Sequence, residues 1–172
     1  MGTRRLAEVT VEMIIAYIKA NISASLDDTS ADTDTNRWPE AVSLEDPRNY
    51  LIAAPAQAYT TPTVIVYLDN FDYRPSQKGA NHINAMAKIT VACILEDRDL
   101  ERLALKAYRY NDAFHEVLAQ AEIVDSNNAV KLVVIVERTS FTPEFSNAGD
   151  EPLGTFRKEL HLECSVEHYS NF

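Results

Sequence analysis

The chain has 172 residues, 46% of them hydrophobic and 24% charged, with a net charge of −10 and a pI of about 4.8. One domain of this length buries a sizeable core. The acid excess argues against wrapping onto nucleic acid or docking on an anionic membrane, since both need clustered Lys and Arg, but it suits a surface that DNA slides past.

Apolar residues from Arg5 to about Ser25 recur at helical spacing: Leu6, Val9, Met13, Tyr17 and Ala20, widened by Ile14, Ile18 and Ile22. Glu8, Thr10 and Glu12 break up the apolar run behind Arg4 and Arg5, so it reads as a core helix and not as a signal peptide or membrane span. From Leu26 to Asp46 the chain turns short, polar and acidic, without periodicity, and is expected to form a long acidic loop tethered at Trp38-Pro39. Within it, Asp32-Thr-Asp34-Thr-Asn36 imitates the first ligands of a calcium loop. Arg37 replaces the Gly of the sharp turn and Ser43 the bidentate Glu, so the reading is a solvated loop.

Pro47 to Thr61 is irregular or a short strand around Tyr50-Leu51-Ile52. Thr63 to Leu68 and Met86 to Leu95 read as strands joined by a polar connection, Asp69 to Asn84. A central helix follows from Asp99 to Ala121, with Leu103, Ala107, Tyr110 and Phe114 on its stripe and Asp97 or Asp99 as its cap. Asp125 to Asn128 is a turn. Leu132 to Val136 is a strand extended by Thr139 to Phe141, and the segment 137–158 forms a protruding arm marked by Pro143, Gly149, Pro152 and Gly154. In the last strand, Phe156 to Tyr169, Leu160, Leu162, Cys164 and Val166 point one way and His161, Glu163, Ser165 and Glu167 the other. These elements predict a single α+β domain over 1–172: a mostly antiparallel four-stranded sheet, two long helices packed on one face, and long loops and arms.

The search for chemistry returns little. The 4 glycines form no phosphate-binding loop and no nucleophile elbow is present. Cys93 and Cys164 sit in apolar strand patterns and read as reduced core thiols. His161 and Glu163 share a strand face, yet two ligands do not make a metal site, and no pattern joins His115 or His168 to them. In Tyr108-Arg109-Tyr110 the rings are expected to pack and Arg109 to meet an acid, since stacking on bases normally comes with a basic groove. No catalytic, cofactor or metal residue is therefore assigned. An acidic metal-dependent enzyme and a calcium-sensing module remain the competing readings.

Thr63 to Leu68 and Leu132 to Val136 are apolar on both faces, while two helices on one face leave the other uncovered. Copies of the chain are expected to supply that cover. The candidate interface residues are Phe71, Tyr73 and Arg74 in the connection, and Phe141, Phe145 and Phe156 in the arm.

The order of elements resembles the tail terminator, or tail-completion, proteins of tailed bacteriophages. The resemblance rests on the helix Asp99 to Phe114, set between Ala87 to Leu95 and Val133 to Val136, and on the closing strand Phe156 to Leu162. It implies a virion subunit, assembled in the host cytoplasm, that forms a ring, usually a hexamer. That ring caps the tail tube protein, stops tube growth and meets the head–tail connector proteins, and the sheath protein in a contractile tail. DNA would pass through its lumen unbound, against acidic side chains. Neck or head–tail joining proteins of the same junction fit this description too.

Overall fold

The computed structural model describes residues 6–31, 42–53, 60–73, 83–143, 145–146 and 155–170, with the backbone alone for 83, 84, 145, 146 and 170. The elements run α1 (Leu6–Ala31), β1 (Asn49–Leu51), β2 (Thr63–Tyr73), β3 (Ile83–Asp97), α2 (Leu100–Leu118), β4 (Glu122–Val124), β5 (Val130–Phe141), β6 (Phe145–Ser146) and β7 (Phe156–Ser170).

The expected four-stranded sheet is corrected to seven strands. They lie in the order β1-β2-β3-β7-β5-β4, with β6 against β7. The sheet is mixed, because β1 runs parallel to β2 while the other pairings are antiparallel. β1, β4 and β6 have 3, 3 and 2 residues, too short for a period-2 pattern to stand out in sequence.

Two β-bulges shape the long strands. One falls between Leu68 and Asn70 on β2, the other between Val136 and Arg138 on β5. Tracing the register from β2 through β3 and β7 to β5 gives the rows Leu68–Ile89–Cys164–Val136 and Asn70–Lys88–Ser165–Ile135. The β2 bulge therefore falls between these two rows and the β5 bulge on the other side of the first, before Arg138 opposite Glu163, so both border the row Leu68–Ile89–Cys164–Val136, one on each flank of the central pair, where added local twist bends the sheet.

Both helices contribute to one core. Ile14, Ile18 and Ile22 of α1 and Leu103, Tyr110 and Phe114 of α2 meet Val64, Ile89, Val91, Leu160 and Leu162 of the sheet. The alternation read in β7 places its apolar set here, as side chains two apart share a face. The long loop expected over 26–46 is corrected at its start. α1 continues to Ala31 because Leu26 is buried in the core and Ser25 bonds α2, at the Ala113 carbonyl and the Glu116 carboxylate. Its acidic residues Asp27 and Asp28 lie on the exposed side, which a polar composition does not distinguish from a loop. The calcium-like stretch 32–36 and Trp38 lie outside the described residues.

Asp99 caps α2, its side chain accepting the Arg102 N–H at 2.9 Å. Asp97 has a different part. Its buried carboxylate accepts the Asp99 N–H and receives Arg102 and Lys106, with Lys106 Nζ at 2.6 Å. Burial alone would raise its pKa; the hydrogen bonds from Arg102, Lys106 and the Asp99 N–H outweigh that and hold it well below the usual carboxylate range. At the other end of α2, Gln120 turns the chain with φ 59°, a left-handed conformation that costs a residue bearing a Cβ. Gln120→Gly is expected to stabilise the protein by about 0.5–1 kcal/mol in equilibrium denaturation.

Candidate functional site

The surfaces that matter are the sheet's helix-free face and its two flanks. On that face β7 presents Arg157, Glu159, His161, Glu163, Ser165 and Glu167. Glu159 takes Arg157 and His161, each at 3.1 Å. Glu137 receives the Ser165 hydroxyl and Lys88 at 3.3 Å, and these bonds lower its pKa, Ser165 first. The polar side chains of this face thus hold one another, along β7 at Glu159 and between strands at Glu137.

One corner of the same face is apolar and already closed. Ile65, Ala92 and Ile94 are buried against Leu51 and Tyr67. The chain thus supplies part of the cover that the sequence pattern assigned to a neighbour. Farther along, Ile135 and Val124 remain 43% and 48% exposed.

The candidate interface residues separate into two groups. Phe71 and Tyr73 stack edge to face near the far end of β2, ring centroids 4.9 Å apart, with Tyr73 56% exposed. Phe141 and Phe156 are half-buried at the opposite end of the long strands. There Phe141 meets Tyr108 edge to face at 5.3 Å and lies under the Lys158 ammonium. Phe71 pairs with Ala87 of β3 and Phe156 with Asp97 of the same strand. Ten residues of extended chain put Phe71 and Phe156 about 33 Å apart along the strands, while Phe141, level with Cys93 through Leu160, lies about 20 Å from Phe71. Arg74 and the side chain of Phe145 lie outside the described residues.

The Tyr108-Arg109-Tyr110 motif serves packing. Tyr110 is buried and its hydroxyl donates to the Glu45 carbonyl while accepting the Glu45 N–H at 3.1 Å. Arg109 is buried as well and donates to the Val42 carbonyl at 3.3 Å, so both side chains pin the segment 42–46 to α2. The burial of Arg109 was not readable, because the helical stripe put it beside the apolar face. The thiols of Cys93 and Cys164 are free and buried, and burial pushes Cys164 up to about 12, which suits inert packing.

The histidines are not brought together. His115 is exposed on α2, His161 pairs with Glu159, and His168 points to the helix side of β7 between Ala85 and Leu132. Among the described residues, no group of three or more His, Cys, Asp or Glu is placed to hold a metal ion.

No family model matches the chain, and no curated protein does either. Among solved structures, it is similar to a chain from the virion of a native gene transfer agent (GTA) particle. The two are 17% identical, the match covers 87% of this chain and 94% of the other, and the TM-score is 0.34. A second solved chain, which carries no functional description, is 17% identical over 91% of this chain and 97% of its own, with a TM-score of 0.39. Likenesses this loose decide neither fold nor role.

His168 gives a testable property of the core. It is fully buried, neither ring nitrogen has a hydrogen-bond partner among the described residues, and burial lowers its pKa. The folded state therefore resists a proton that the unfolded chain accepts near pH 6.5. Stability should fall as pH drops below about 6.5, by up to about 1.4 kcal/mol per pH unit. Denaturation midpoints between pH 5 and 7 should carry this slope in the unaltered protein and lose it in His168→Leu.

Proposed function

We propose that the chain is a structural subunit of a tailed-phage particle, located in the virion after assembly in the host cytoplasm. Copies close into a ring on the last ring of tail tube protein, end tube growth and present a surface to the head–tail connector proteins. In a contractile tail the same ring meets the sheath protein. The resemblance carried by Asp99 to Phe114 and its flanking strands points to this role and to a hexamer.

The observation that carries the reading is the separation of the two aromatic groups. The Phe71–Tyr73 pair and the Tyr108–Phe141 pair are different surfaces, one on the flanking strand β2 and the other beside the opposite flanking strand β5. Contact between unlike patches is head-to-tail, and head-to-tail contact builds a ring whenever the rotation closes. With α1 and α2 on one face of the sheet, the other is free to line the channel. There Glu137, Glu163 and Glu167 would repel DNA phosphates and let the duplex pass.

Sedimentation and negative-stain microscopy of the purified protein should give a closed ring. Tyr73→Glu, on an exposed side chain, should shift the population toward monomer with little change in melting temperature. A monomer at every concentration, alone and with assembled tail tubes, would overturn the reading.

A further inference from the structure

The sheet has two open edges. β2 pairs with β3 along its whole length, but β1 covers its other side only from Thr63 to Ile65. β5 pairs with β7 from Val130 to Phe141, and β4 covers its other side only from Lys131 to Val133. The Val134 N–H still reaches the Ala121 carbonyl. Beyond these points no strand among the described residues pairs with the outer edge of Val66–Tyr73 or of Ile135–Phe141. Unpaired backbone N–H and C=O groups along such edges are a template for another strand.

The two edges fit each other. Three successive antiparallel steps, from β2 to β3 to β7 to β5, leave β2 and β5 running in opposite directions. Copies related by rotation about an axis along the strands therefore bring β5 of one beside β2 of the next in antiparallel order. Each edge carries a bulge, the two lying on opposite sides of the row Leu68–Ile89–Cys164–Val136. Bulges discourage pairing with an arbitrary flat strand and favour one with a matching bend.

Charge points to the same occupant. Arg138 is exposed on β5 and makes no ion pair among the described residues, while Glu137 beside it is held by Lys88 and Ser165. On β2 the exposed Asp69 and Asp72 accept from Thr90 and Asn70 and face no cation among the described residues. A lone cation on one edge and two acids on the other are complementary across a junction of copies.

We propose that the ring closes by sheet continuation, with β5 of each subunit adding to β2 of its neighbour and Arg138 facing Asp69 or Asp72. This rests on the ring reading above and names its interface. Charge exchange tests it. Arg138→Glu and Asp72→Arg should each weaken assembly by about tenfold or more, and the two together in one chain should restore it. In a second test, Arg138→Cys with Asn70→Cys should give a ladder of disulfide-linked subunits on a non-reducing gel, the native thiols being buried. Rings that form equally well in both single variants, with no ladder, overturn the edge junction and leave the ring reading standing. An unaltered protein that never assembles ends both.

Discussion

Everything in this molecule hangs on the pairing of β3 with β7. The two strands run side by side from Ile83 opposite Tyr169 to Asp97 opposite Phe156. That register decides which side chains are dry. Ile89, Val91, Cys93 and Leu95 fall on the same face as Leu160, Leu162, Cys164 and Val166, and the two helices close over them. A slip of one residue would turn this set to the helix-free face and bring Glu163 and Glu167 under the helices, so the register is strongly specified.

From that spine the sheet spreads symmetrically enough to matter. β2 and β5 flank it, each bulged beside the row Leu68–Ile89–Cys164–Val136, each covered at one end by a three-residue strand. The helix-free face carries ion pairs along β7 and between β3 and β5, with an apolar corner at Ile65, Ala92 and Ile94 that the chain closes by itself. What remains open is therefore narrower than an uncovered sheet. Among the described residues it consists of strand edges and of aromatic groups at the ends of the long strands.

The long elements were legible because burial writes a period into them. β7 alternates cleanly, and α2 repeats every third or fourth residue at Leu103, Ala107, Tyr110 and Phe114. β1, β4 and β6 are held by neighbours and not by their own pattern, so the strand count and the mixed character of the sheet were hidden. The end of α1 was misread for a related reason: Ser25 and Leu26 are fixed by contacts with α2 and the core, which a run of Asp, Thr and Ser conceals. Of the candidate interface residues, exposure of Tyr73 and partial burial of Phe141 are tertiary facts. The edges themselves are invisible in sequence, since which strand is left unpaired depends on the order of strands in the sheet and not on composition.

Amide hydrogen exchange measured across a range of protein concentrations tests the central claim, that copies of the chain complete one another, most directly. The account predicts that Val66–Tyr73 and Ile135–Phe141 gain protection as concentration rises, while the amides of β3 and β7 are already protected at the lowest. Exchange at these two edges that stays fast and unchanged at every concentration would contradict it.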